Sequence, residues 1–177
     1  MIETPRLILR RWREEDFEPF VAMCADSEVM TWLGGALDRA DARAYMVRAV
    51  DTFERIGMGR LAITRRDDGA FLGICGLMPG HEALVPLLSP FVDLSWSLCR
   101  EAWGCGYATE AARGVILDGF ERLGLSEITA MTAPANLRSQ AVMGRLGMTA
   151  DPACDFDHPL MEVDDPLRRH LVYRLRR

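Results

Sequence analysis

The chain has 177 residues, 49% of them hydrophobic and 27% charged, a balance that excludes a disordered chain and provides for one globular unit, residues 1–177, with a sizeable core. A net charge of −5 argues against general nucleic-acid binding, which needs a basic face, and no apolar run approaches the roughly 20 residues of a membrane span. The N-terminus lacks a signal-peptide hydrophobic region, and five scattered cysteines (Cys24, Cys75, Cys99, Cys105, Cys154) without a CxxC read as reduced thiols of a cytoplasmic protein, not as a disulfide frame or zinc site.

In chain order, residues 6–10 begin a strand with Leu7 and Leu9 on one face. Glu14, Glu15 and Asp16 place acids in the first turn of a helix that runs to about Ala25. Asp38 is the N-cap of a second helix that ends before Gly57. Its Ala42, Tyr45, Met46, Ala49, Phe53 and Ile56 recur at helical spacing. Residues 59–64 and 71–77 read as two strands joined at the hairpin signal Asp67-Asp68-Gly69. Residues 79–90 read as a loop, and residues 91–98 as the next strand. A third helix spans 107–123 and stops at Gly124. Residues 127–132 form a further strand, Asn136 caps a fourth helix that Gly147 ends, residues 151–166 are an irregular acidic stretch, and 170–175 are a last strand. The order β-α-α-β-β-β-α-β-α-β is α/β with a mixed sheet.

The most informative stretch is Leu98-Cys99-Arg100-Glu101-Ala102-Trp103-Gly104-Cys105-Gly106-Tyr107-Ala108-Thr109-Glu110-Ala111-Ala112. A strand enters a turn with two glycines and a helix leaves it. Several backbone N–H groups then point at one spot at the positive end of a helix, where a phosphate or pyrophosphate binds. The dinucleotide fingerprint fails because Thr109 stands at the sixth position and no ribose-binding acid follows. Walker A fails for want of Gly-Lys-Ser/Thr. A phosphate loop, another ligand loop and a plain strand-to-helix turn all remain compatible with the local pattern.

Residues 98–112 resemble the pyrophosphate-binding motif of the GNAT superfamily of acyl-CoA-dependent N-acetyltransferases. Thr4-Pro5-Arg6-Leu7-Ile8-Leu9-Arg10 with Glu15-Asp16 is similar to the opening of its RimJ/RimL branch. Trp103-Gly104-Cys105-Gly106-Tyr107-Ala108-Thr109-Glu110-Ala111 resembles that branch's WGxGYATEA, and Asn136-Leu137-Arg138-Ser139 with Arg145-Leu146-Gly147-Met148 its NxxS…LGF segment. The resemblance covers roughly residues 2–150. It implies a mixed, mostly antiparallel central sheet with helices on both faces, acetyl-CoA as cosubstrate without a metal, and transfer of the acetyl group to a primary amine: a protein N-terminus, an amino acid or a small amine. A non-catalytic acyl-CoA sensor is the alternative. Oligomeric state is not fixed, a homodimer being compatible with it, and neither nucleic acid nor membrane is expected as partner.

The resemblance also implies site residues. Leu98, Trp103, Gly104, Cys105, Gly106, Tyr107, Ala108 and Thr109 form the cofactor-binding turn, and Asn136 and Ser139 touch the pantetheine arm. Read alone, Asn136 is a plain N-cap, and the two roles can coexist. Glu101 stands where the family carries Gln or Arg, so an acid beside a pyrophosphate should turn away. Strand alternation puts Val92, Leu94, Trp96 and Leu98 on one face and Asp93, Ser95 and Ser97 with Phe91 on the other. Asp93 occupies the position of the family's general-base glutamate; one methylene shorter, it suits a relayed water. The alternative for Asp93 is ordering of backbone or water. Glu82 and His81 are second candidates for the base. Met143 replaces a tyrosine that serves as the thiol's acid and cannot donate a proton, leaving Ser139, a water or unaided departure. His81, His158 and His170 are too scattered for a metal site. The acids Asp151, Asp155, Asp157, Glu162, Asp164 and Asp165 are a solvated loop or a lure for a cationic amine, and Trp32 with Gly34-Gly35 shapes the acceptor pocket.

Overall fold

A computed structural model describes residues 1–88 and 91–177. Among the described residues, nine strands form the sheet system: β1 (Ile2–Glu3), β2 (Leu7–Arg10), β3 (Arg60–Arg65), β4 (Phe71–Pro79), β5 (Val92–Leu98), β6 (Glu127–Thr132), β7 (Thr149–Ala150), β8 (Phe156–Asp157) and β9 (Arg169–Arg176). Their order is β1-β2-β3-β4-β5-β6-β9-β7, with β8 also paired to β9. Every pairing is antiparallel except β5 with β6, which is parallel.

Helices α1 (Phe17–Ala25), α2 (Ser27–Met30) and α3 (Arg39–Ile56) cover one face, and α5 (Tyr107–Glu121) and α6 (Leu137–Arg145) the other. Alternation along each strand decides which core a residue enters. Leu7, Leu9, Leu94 and Leu98 pack with Ala111, Ala112, Val115 and Met143 from α5 and α6. Ala62 and Ile74 face the other way, into the cluster of Trp12, Phe20, Met23, Ala42 and Met46 under α1–α3. Asp38 caps α3 by accepting from the Asp41 N–H, and Gly57 closes it at φ 72°. No described helix is long and apolar enough to cross a membrane.

Several short elements differ from the sequence expectation. α2, β1, β7 and β8 have two to four residues each, too few to show periodicity; pairing or a cap creates them. The stretch expected as a loop holds a 3-10 turn at Glu82–Leu84 and a short helix α4 (Val85–Leu88), with Leu84 and Leu88 buried against Phe156 and Val172. Ser89 and Pro90 of that expected loop lie outside the described residues. Within the acidic stretch β8 pairs with β9, placing Phe156 opposite His170.

One polar element is buried where α1 begins. Arg10 grips Asp16 with two nitrogens, at 2.7 and 2.9 Å, and the same carboxylate accepts the Arg13 N–H at 2.8 Å. Asp16 is 2% exposed and Arg10 9%. Removing Asp16 would leave the buried Arg10 charge with only the longer contact to the exposed Glu15, at 3.3 Å, as its ion pair. Asp16→Ala is therefore expected to lower stability by about 3–5 kcal/mol, read as a fall in the urea midpoint at unchanged slope.

Candidate functional site

The parallel join between β5 and β6 has a single register pair, Asp93 with Thr129. Beyond it, β5 stays with β4 as far as Leu98–Gly73, while β6 stays with β9 as far as Thr132–Leu171. Each strand keeps its outer neighbour and loses the inner one, so the sheet splits into a wedge. The strand edges at residues 94–98 and 131–133 line a groove of about 1690 Å³. An extended, amide-bearing arm can pair with such an edge as an added strand does.

The glycine turn closes one end of the wedge. Gly104 has φ 75° and Gly106, the N-cap of α5, φ 80°, both left-handed. Among the described residues, none of the N–H groups of residues 104–109 is taken by a protein acceptor; the first helical amide with a partner is that of Glu110, bonded to the Gly106 carbonyl. These six free amides, all but that of Cys105 on residues that line the groove, cluster at the N-terminus of a 15-residue helix, an arrangement that can seat an anion. Trp103, Gly104, Gly106, Tyr107, Ala108 and Thr109 line the groove; Cys105 is exposed and outside that lining.

Arginines supply the positive charge here. Arg6, Arg113, Arg138 and Arg145 all line the groove. The Arg6 guanidinium lies 4.6 Å from the Tyr107 ring centroid, donates to the Cys105 carbonyl at 3.0 Å and pairs with Glu110 at 2.6 Å. Arg138 stacks over Trp103 at 4.4 Å. None of the four was singled out from sequence as a ligand for an anion. Arg113 carried a usable signal, one helical turn after Thr109, whereas Arg6 reaches the turn only because β2 lies beside α5. Glu101 is exposed and outside the lining, and Arg100 is held by Asp26 at 3.1 Å and Glu28 at 2.7 Å.

Leu98 lines the groove. Its side chain is 6% exposed in the core, and its carbonyl accepts the Trp103 indole N–H at 2.9 Å with one of two lone pairs. Asn136 serves as N-cap, its Oδ1 accepting the Ser139 N–H at 3.2 Å, and it also lines the groove with Ser139. Its amide nitrogen has no bond to any described residue, so one side chain can cap α6 with oxygen and offer nitrogen to the groove. Met143 is 1% exposed in the core and also reaches the groove wall.

Asp93 lies at the apex of the wedge, with Ser95 and Ser97, on the face away from α5. Burial pushes its carboxyl up to about 6, against the pull of the Arg60 charge. Arg60 is itself anchored, donating from Nε to the Ser95 hydroxyl at 2.7 Å. Among the described residues none hydrogen-bonds the Asp93 carboxylate. Glu82 is exposed and does not line the groove, since the 3-10 turn that begins at Glu82 carries it to the surface; His81 accepts the Ala83 N–H at 3.2 Å and is likewise outside the lining.

The far end of the groove is walled by Trp32, Leu33 and Gly34 from the segment after α2, and by Met161, Leu167 and His170. His158 and His170 come together, with ring centroids 5.4 Å apart, although 12 residues separate them in sequence. Burial lowers both from the usual histidine range, and His170 and His81 lower His158 further. Among the described residues, no group of three His, Cys, Asp or Glu is placed to hold a metal ion. The acidic stretch is spent on its own loop and on β9: Asp151 pairs with Arg174 at 2.7 Å, Asp157 with Arg169 at 3.3 Å, and Asp155 accepts the Val172 N–H at 2.9 Å.

Residues 6–149 match the acetyltransferase (GNAT) domain family. The chain belongs to the GNAT acetyltransferase family. The uncharacterized N-acetyltransferase YoaA of Bacillus subtilis is 28% identical over 155 residues, covering 83% of this chain and 81% of YoaA. An acetyltransferase structure from Agrobacterium tumefaciens is 30% identical with a TM-score of 0.79, over 99% of this acetyltransferase and 94% of that one. The spermidine N-acetyltransferase of Vibrio cholerae, solved with CoA and spermine, shares the fold at 11% identity and a TM-score of 0.75, over 98% and 96% of the two chains.

Proposed function

We propose that this acetyltransferase moves the acetyl group of acetyl-CoA directly to a primary amine. The observation that carries the reading is the row of unclaimed amides at residues 104–109, set beside a split strand pair. The motifs at residues 103–111 and 136–148 favour the RimJ/RimL branch. The five thiols, all unpaired, fit a reducing compartment such as the cytoplasm.

When bound, acetyl-CoA supplies the activated acetyl thioester. The amides of residues 104–109 hold its diphosphate, helped by Arg6 and Arg113. Asn136 and Ser139 orient the pantetheine arm from α6 while the β5 edge receives its amides. Asp93 accepts the proton of the incoming ammonium. Its raised pKa, near 6, leaves it ionised at neutral pH yet basic enough to take a proton. Met143 offers no proton, so the thiolate leaves with the help of Ser139 or of solvent; a thiol with pKa near 8.5 is a fair leaving group.

Titration calorimetry with acetyl-CoA, paired with thiol release over a panel of primary amines, tests the reading. Binding with turnover on at least one amine is expected. Binding without turnover on any amine would leave a sensor, a role favoured by Met143 where an acid is otherwise found. Absence of binding at millimolar acetyl-CoA would end both.

A further inference from the structure

Thr129 is 0% exposed, and its hydroxyl has no hydrogen-bond partner among the described residues. Buried hydroxyls are nearly always satisfied, by protein or by ordered water. Thr129 is the register partner of Asp93 across the parallel junction of β5 and β6, so the two side chains leave the same face of adjacent strands. Its partner on the other side is Arg174, whose three nitrogens are already bound to Asp151, Glu127 and Cys154. An unpartnered hydroxyl thus sits beside an unpartnered carboxylate at the apex of the wedge. Among the described residues, Arg60 is the charged group facing that carboxylate, with Tyr45 behind it; Arg60 spends its Nε on Ser95.

We propose that Thr129 is the positioning residue for Asp93, its hydroxyl tied to the carboxylate through one buried water. This rests on the reading of Asp93 as the base. Thr129 does not line the groove, so it holds Asp93 from behind and leaves the groove-facing oxygen free for the amine. A water wedged there satisfies two polar groups at once and costs little beyond its own immobilisation. It also solvates the ionised carboxylate, which holds the Asp93 pKa lower than burial alone would set it.

The test compares Thr129→Val, which keeps the shape and removes the hydroxyl, with Thr129→Ser, which keeps the hydroxyl. Thr129→Val is expected to lower kcat about 10-fold, the size expected for one lost hydrogen bond to a charged group, with KM for acetyl-CoA unchanged. Its acid limb in the pH–rate profile should move to higher pH, and Thr129→Ser should restore both. An unchanged kcat and pH profile in Thr129→Val, with Asp93→Asn inactive, would overturn the proposal and leave the base reading standing. Equal losses in the Val and Ser variants would also overturn it, because shape rather than the hydroxyl would then matter. Full activity in Asp93→Asn would remove the base reading and this proposal together.

Discussion

Asp93→Asn is expected to lower kcat by about 10²–10⁴-fold, the usual contribution of a positioned base, while acetyl-CoA binds as before. Asparagine keeps the size and loses the proton-accepting charge, so the loss should fall on the chemical step alone. The wild-type profile gives an independent measure. The carboxylate must be unprotonated to accept, and its pKa is raised to about 6. Activity should therefore fall as pH drops through about 6, and the limb should vanish from the residual rate of the variant. His170 is the competing source of an acid limb, since it lines the groove and burial lowers its pKa from the usual histidine range. Its Nδ1 faces the Arg168 carbonyl at 3.2 Å, a contact that requires a proton on that nitrogen and leaves Nε2 as the only basic atom. His170→Asn should leave the limb in place. A limb that persists in Asp93→Asn and disappears in His170→Asn would transfer the role of base to the histidine.

The long elements and the glycine turn were legible because each has a local cause. Helix α3 is bracketed by an Asp cap and a left-handed Gly, and its apolar period spans five turns. The turn at residues 104–106 announces itself because glycine is the residue that adopts φ near 75–80° without strain. The alternation of β5 separated Asp93 from the core-facing Leu94 and Leu98, as the burial pattern shows. Features set by long-range pairing were not legible. Nothing within residues 1–10 says that Arg6 will lie over Tyr107, about 100 residues later, because the adjacency of β2 and α5 is a property of the whole sheet. The pairing of Asp93 with Thr129 is of the same kind: the sequence marks Asp93, but Thr129 reads as an unremarkable strand position until the register joins them. At Leu98 the motif did not show that the Trp103 indole bonds the carbonyl of this groove-lining residue. Glu82 was drawn to the site by its place in an unstructured-looking loop, whereas the 3-10 turn carries it outward.

Gly106→Val should weaken acetyl-CoA binding by about 100-fold or more. A valine at φ 80° is strained, so the turn will relax toward extended backbone and swing its amides away from the groove. Each hydrogen bond to a charged phosphate is worth about 1.5–3 kcal/mol, so the loss of two supplies that factor. Space is not the cause: a Cβ at Gly106 would meet only the tip of Arg6, at 3.5 Å, and one at Gly104 nothing within 4 Å. Gly57→Val provides the control. It has the same left-handed backbone, at φ 72°, and the same open surroundings, but closes α3 away from the groove. Both variants should lose stability; only the turn variant should lose affinity. The loss should also track the part of the ligand held. Affinity for adenosine 3′,5′-bisphosphate extended by the second 5′-phosphate should fall as far as affinity for CoA, while pantetheine, which lacks the diphosphate, should bind Gly106→Val and the unaltered protein equally. Equal weakening toward pantetheine would place the damage in the strand edge and deprive the amides of residues 104–109 of their assigned role.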